Sequence, residues 1–262
     1  ADPGTGSIIT ISGTIYADNL YITSAGDEDE VNVGGNIIVR NTIKVYGKET
    51  ADTMVFTKTM IASEIHIYGE AGDDTITIDI QPPEVLIGHV SIYGGEGHDV
   101  ITVNRLQTRT STLDIDGQGG TDDVIVNVRS GRTDYVINVF DTGAPNDGAD
   151  TLTINGTETD DLINPSGEDL FLSRANFVAY LNPDTGTGGL YPEVERINYD
   201  ENINGRLTIN GLGGDDRFYS DDNSSITTLD GGPGNDFFQF GQVFGAERVP
   251  DYVAAGDEIV TV

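Results

Sequence analysis

The chain has 262 residues, with 13 basic side chains against 44 acidic ones and a formal net charge of −31. That balance excludes nucleic acid and anionic membrane surfaces as partners, since both need clustered Lys and Arg. Cysteine is absent, which excludes disulfides and thiolate metal sites, and no run reaches the roughly 18 consecutive apolar residues of a membrane-spanning helix.

The acid is biased towards Asp, 30 of the 44, and there are 34 glycines. Asp and Gly together favour turns. Residues 1–7 read as a linker or fusion scar, and residues 8–262 as a single elongated unit. Gly26 and Asp29 open a series of Gly/Asp turns, each set between two stretches of alternating apolar and polar residues. The next copy spans 45–56 and is anchored on Asp52. Segments 67–78 and 92–103 then align without a gap, on Asp74 and Asp99, and 115–128 repeats the frame on Asp122. Weaker copies surround Asp150 and Asp161. The stretch 165–205 has no Gly/Asp turn but carries strand-like runs at 177–181 and 194–197, and is expected to be coils that lost the turn or an insertion. The frame returns at 209–219 on Asp216 and at 229–240 on Asp236, with a faint copy at Asp257. Residues 259–262 stop in the middle of a strand pattern, so the chain is expected to be a piece of a longer repeat protein.

Most anchors lie 20 to 28 residues apart. That length suits one coil of a parallel β-solenoid, two or three strands of about five residues plus their turns. The predicted fold is therefore all-β, a β-helix or β-roll. Its inward positions alternate: Ile65 and Ile67, Ile76 and Ile78, Ile101 and Val103, Val124, Val126 and Val128, Leu207 and Ile209, Phe238 and Phe240. The residue before the first turn glycine is Tyr46, Tyr68 and Tyr93 in three successive copies, which predicts a stacked aromatic ladder. At the same position Asp116, Asn155, Asn210 and Asp230 are expected to bond the adjacent turn.

Residues 94–102 and 231–239 both match the nonapeptide Gly-Gly-x-Gly-x-Asp-x-U-x, with U a large apolar residue. Segments 69–77, 117–125 and 211–219 match with one glycine replaced. The chain thus resembles the RTX (repeats-in-toxin, haemolysin-type) calcium-binding repeats. The resemblance implies a parallel β-roll or β-helix with calcium between successive turns, held by turn carbonyls and the sixth-position Asp. Carried over position by position, it implicates Gly69 and Asp74, Gly94, Gly97 and Asp99, Gly117 and Asp122, Gly211 and Asp216, and Gly231, Gly234 and Asp236. Asp52 and Asp161 follow more weakly, because Thr50 and Thr159 stand where the fourth-position glycine belongs. The motif occurs once per coil instead of back to back, and in this it resembles the degenerate repeats of large bacterial surface proteins and adhesins.

The expected function is accordingly that of a non-catalytic, calcium-binding structural or adhesive module at the cell surface or outside the cell. Its partners would be calcium and a glycan or surface protein of a host or neighbouring cell. Two alternatives stand beside it. Segment 165–205 could carry glycan or partner binding, since loops that break a solenoid often carry contacts. A polysaccharide-active β-helix enzyme would need basic residues near its acids, for which Arg105, Arg109, Arg129 and Arg132 are the nearest group. His66, His89 and His98 build no transition-metal site by themselves.

Overall fold

The computed structural model describes residues 6–106, 112–129, 135–144, 147–158, 169–181 and 194–241. Among these every regular element is a strand. The strands form a parallel β-solenoid of about nine turns, built from two sheets that face each other across the core.

The first sheet takes one strand from each coil: Ile8–Ile11, Glu30–Val33, Thr53–Phe56, Thr75–Ile78, Val100–Asn104, Asp123–Asn127, Thr151–Thr157, Arg206–Leu212 and Thr227–Asp230. The second sheet begins with Ile15–Thr23, Ile37–Glu49, Met60–Ala71, Leu86–Gly97, Thr112–Gly120 and Tyr135–Phe140, all parallel. Register follows the apolar pattern. Val31, Met54, Ile76, Ile101, Val124, Leu152 and Leu207 stack in one column of the first sheet. Val45, Ile67, Ile92 and Ile115 stack opposite them in the second. All are buried. No coil could bury its inner face alone, so stability accumulates between neighbours.

Of the predicted inward residues, Phe238 and Phe240 are exceptions, at 39% and 64% exposure. They lie on the last described strand, Phe237–Phe240, and no described coil covers them. Phe238 still stacks on Phe218, with ring centroids 4.9 Å apart.

Of the two expectations for segment 165–205, its described residues form an insertion into the second sheet and not a set of degenerate coils. In the first sheet, Thr151–Thr157 pairs directly with Arg206–Leu212. Between them the chain contributes three strands to the second sheet: Leu170–Arg174, Phe177–Leu181 and Val194–Tyr199. These run antiparallel to one another, while the outer two pair in parallel with Arg217–Asp221 and Tyr135–Phe140. The hairpin closes over Ala175 and Asn176, with Asn176 at φ 68°, a conformation that Asn tolerates and tight hairpins require. Two extra strands at about 4.8 Å each widen this sheet by roughly 10 Å relative to its partner.

Candidate metal centre: the aspartate columns

Each motif aspartate lies at the end of a turn, just before a strand, and its side chain folds back under that turn. One carboxylate oxygen bonds along the solenoid. Asp52 Oδ1 accepts the Asp29 N–H at 2.7 Å, Asp74 the Asp52 N–H at 2.7 Å, Asp99 the Asp74 N–H at 2.8 Å, and Asp122 the Asp99 N–H at 2.8 Å. Asp150 then accepts the Asp122 N–H at 2.9 Å, and Asn204 Oδ1 the Asp150 N–H at 3.1 Å. This column marks the turns that lead into the first sheet.

A second column marks the turns that lead into the second sheet. Asp216 Oδ1 accepts the Asp169 N–H at 2.8 Å, and Asp236 Oδ1 the Asp216 N–H at 3.1 Å. The Gly/Asp turn therefore changes sides at the antiparallel insertion, which a one-dimensional spacing cannot reveal. Asp161 and Asp257 lie outside the described residues. Asp169 occupies the column position that pairs with Gly156, where a Cβ would stand 2.1 Å from Asp169 Oδ2. Sequence spacing passed over Asp169 because it lies further along the chain from Gly156 than a motif Asp lies from its glycine. Its signal was the alternating strand that follows at once.

The other carboxylate oxygen defines the site. Oδ2 of Asp52, Asp74, Asp99, Asp122, Asp150 and Asp216 is buried and has no hydrogen-bond partner. Except at Asp150, it is directed at the first-position glycine of its own turn. A Cβ on Gly69 would stand 2.2 Å from Asp74 Oδ2 and 2.3 Å from the Gly94 carbonyl oxygen. At Gly94 the corresponding distances are 2.3 Å to Asp99 Oδ2 and 2.7 Å to the Gly117 oxygen, and at Gly211 they are 2.0 Å to Asp216 Oδ2 and 3.0 Å to the Gly231 oxygen. Glycine is thus required by close approach. The same cradle brings together two oxygen acceptors from adjacent coils with no donor between them.

That arrangement needs a proton or a cation. Burial is the largest influence on these carboxyls. It raises Asp52 and Asp99 to about 6, and Asp74, Asp122 and Asp216 to about 7, against the partial opposition of the backbone N–H each accepts. Two column members need neither. Asp29 Oδ2 accepts the Ala25 N–H at 2.6 Å. Asp169 accepts the Thr157 N–H at 2.6 Å, the Thr157 hydroxyl at 3.0 Å and the Tyr180 hydroxyl at 2.7 Å.

The donor set suits a hard cation such as calcium, which prefers carboxylate and carbonyl oxygen. Not every turn carbonyl is free to join. Glu96 O accepts the Gly72 N–H at 2.8 Å, Gly97 O the Thr121 N–H at 3.1 Å, and Pro233 O the Gly214 N–H at 3.1 Å. One first-position carbonyl, Gly47 O, accepts the Ser24 hydroxyl; what remains without a donor is Oδ2 of Asp52, Asp74, Asp99, Asp122, Asp150 and Asp216. Among the described residues no three acidic or imidazole side chains converge as a ready metal site. Gly97 and Gly234 combine positive φ, 144° and 155°, with close approach, since a Cβ would stand 2.1 Å from Gly72 O and 1.6 Å from Gly214 O; Thr50 holds the same turn position at φ 81°, which is costly for a β-branched residue.

The surroundings are structural. Tyr46, Tyr68 and Tyr93 stack with centroids 4.9 and 5.0 Å apart, as their spacing predicts. Asp116 bonds the adjacent turn through the Thr142 N–H and hydroxyl. Asn155 and Asn210 instead join Asn104 and Asn127 in an amide ladder along the first sheet. Acids beside the anchors form an outer ladder, in which Asp73 accepts the His98 N–H and Asp215 the Asn235 N–H. Of the four arginines, Arg109 and Arg132 lie outside the described residues, and Arg129 donates its main-chain N–H to Glu195, which also accepts the Tyr135 hydroxyl.

No protein-family model, no curated protein and no solved structure matches the chain.

Proposed function

We propose that the chain is a non-catalytic structural module of a secreted or cell-surface repeat protein, in which calcium enters the aspartate columns between coils. One observation supports this above the others: a series of buried carboxylate oxygens without donors, of which those of Asp52, Asp74, Asp99 and Asp216 share a glycine cradle with a main-chain carbonyl of the next coil. Oδ2 of Asp52, Asp74, Asp99, Asp122 and Asp216, with the carbonyls of Gly69, Gly94, Gly117 and Gly231, would hold the ion. Calcium would supply the positive charge that the donor-free cradle lacks, and would tie adjacent coils together. Because other turn carbonyls are engaged in the β-ladder, the protein provides a thin shell. Affinity belongs in the weak range of extracellular modules, about 10⁻⁴–10⁻³ M, which suits the calcium levels outside cells and not those of the cytosol.

Circular dichroism melts in EDTA, then across a calcium titration with magnesium as control, test this reading. A calcium-specific rise of several degrees is expected. A melt indifferent to calcium would show that protons alone close the columns. A second reading, glycan or partner binding, is favoured by the antiparallel strands of 170–199, the one place where the described repeat is broken. Loss of retention on a glycan or cell-surface matrix after their replacement by a standard coil would support it.

A further inference from the structure

The outer face of the second sheet changes character at the strands Arg217–Asp221 and Phe237–Phe240. In the first sheet the residue after each column aspartate is Thr53, Thr75, Val100, Asp123 or Thr151. After Asp216 and Asp236 it is Arg217 and Phe237, which lie opposite each other in the ladder, with Tyr219 two positions on. Phe218 is buried and Phe238 stacks on it, so Arg217, Tyr219 and Phe237 take the outward positions of the pleat.

A cleft of about 500 Å³ opens there, lined by Asp215, Asp216, Arg217, Tyr219, Asn235 and Phe237. Its size falls within the range of about 300–1,000 Å³ for small-molecule sites. Two kinds of wall meet in it. Tyr219 and Phe237 form a tilted pair, with ring centroids 5.8 Å apart and planes at 53°, and Phe237 is 49% exposed. The turns add a polar rim. Asp215 Oδ1 accepts the Asn235 main-chain N–H at 2.9 Å and its side-chain amide at 3.2 Å. That leaves Asp215 Oδ2, Asn235 Oδ1 and the second amide hydrogen of Asn235 for a ligand.

These groups select among ligand classes. Asp215, beside a net charge of −31, repels phosphates and other anions. Two aromatic rings and a carboxylate would suit an organic cation, but Arg217 sets a positive charge in the same wall. A neutral ligand with an apolar face and a rim of hydroxyls satisfies every wall, since each hydroxyl both donates and accepts. A pyranose ring has that form, with C–H bonds on one face for an aromatic ring and hydroxyls at its edge. We propose that the cleft binds a neutral pyranose sugar, stacked on Phe237 and Tyr219 and held by Asp215 and Asn235. This deepens the glycan reading given above, but it places the contact on residues 215–237 instead of 170–199, and it needs no ion.

Saturation-transfer difference NMR on the whole chain tests it. The probes are methyl β-glucoside, methyl α-mannoside and N-acetylglucosamine, with glucuronate and choline as controls. Phe237→Ala changes a half-exposed side chain, and Asp215→Asn keeps the Oδ1 acceptor for Asn235, so both should fold as the parent does. At least one neutral sugar is expected to receive saturation. Phe237→Ala should weaken its binding about tenfold or more, as loss of an aromatic stacking partner implies, and Asp215→Asn should weaken it several-fold. Neutral-sugar binding that survives both variants would overturn this site and leave glycan binding by 170–199 standing. Preference for choline or glucuronate over every neutral sugar would overturn the choice of ligand. Absence of transfer to any sugar would overturn the site together with the glycan reading, and leave the calcium module untouched.

Discussion

At the first turn position glycine serves close approach, and at the fourth it serves both close approach and a positive φ, as at Gly97, where a Cβ would stand 2.1 Å from the Gly72 carbonyl oxygen. Gly94→Ala drives a methyl to 2.3 Å from Asp99 Oδ2 and 2.7 Å from a main-chain oxygen. A loss of about 2 kcal/mol or more is expected by urea denaturation, in the range for steric strain in a packed site. Gly13→Ala, with nothing within 4 Å of the added carbon, is the neutral control. Thr50→Gly relieves a β-branched residue held at φ 81°. A gain of about 0.5–1 kcal/mol is expected, the relieved strain outweighing the added freedom of the unfolded chain. The aspartates carry a sharper test, because the chain contains its own precedent. Asn204 occupies the column position, accepts the Asp150 N–H through Oδ1 and donates Nδ2 to the Gly148 carbonyl at 3.3 Å. Asp99→Asn should therefore keep the ladder and supply the missing donor. In EDTA at pH 8 it is expected to melt no lower than the parent, with a smaller response to calcium. Asp99→Ala strands the Asp74 N–H and should cost about 1–3 kcal/mol. A melt of Asp99→Asn as low as that of Asp99→Ala would contradict the account of the cradle.

At the scale of the element, the columns behave as a unit with a definite pH response. Their folded carboxyls titrate at about 6 to 7, above the value of 3.8 for a free Asp. Between those limits the folded state holds more protons than the unfolded one, so stability falls as pH rises. The ion-free chain should be most stable near pH 4 and lose several degrees of melting temperature by pH 8, with the steepest change between 5 and 7. Saturating calcium should flatten or reverse that slope, since the ion needs the deprotonated form. Melts at fixed ionic strength, with and without EDTA, would show both. The columns were only partly legible in the sequence. The coil length, the inward alternation and the tyrosine ladder follow from period-two patterning and a fixed repeat, which is local information. Asp74, Asp99 and Asp122 were found because their turns keep one length. Asp169 and Asn204 were not, because the first lies too far in sequence from its glycine and an amide stands for a carboxylate in the other. The antiparallel insertion was visible only as broken periodicity. Its two-residue hairpin at Ala175 and Asn176 sits between alternating runs, but the partner of each run is a long-range choice that spacing does not specify.

Across the whole molecule, charge sets the background against which any specific ion must be judged. A net charge of −31 on 262 residues makes the folded chain repel itself. The few exposed pairs, such as Arg40 with Asp18 at 2.9 Å, offset little of it. Any salt should therefore raise the melting temperature of the ion-free chain, by screening over about 10 Å at 0.1 M. The rise should level off once the Debye length falls below the spacing between surface acids. Buried column carboxyls behave differently, because mobile ions do not reach them and only a proton or a coordinated cation answers their charge. In about 0.5 M sodium chloride, where the surface effect is spent, millimolar calcium should still raise the melting temperature, while millimolar magnesium should not. Magnesium demands near-octahedral geometry and dehydrates reluctantly, which a carbonyl-lined cradle between coils does not favour. Because coils are stabilised by their neighbours, the calcium increment should be cooperative. Blocking one column step, as in Asp99→Asn, should reduce the increment by more than its single share if calcium clamps a run of adjacent coils. It should reduce the increment only in proportion if each step binds alone.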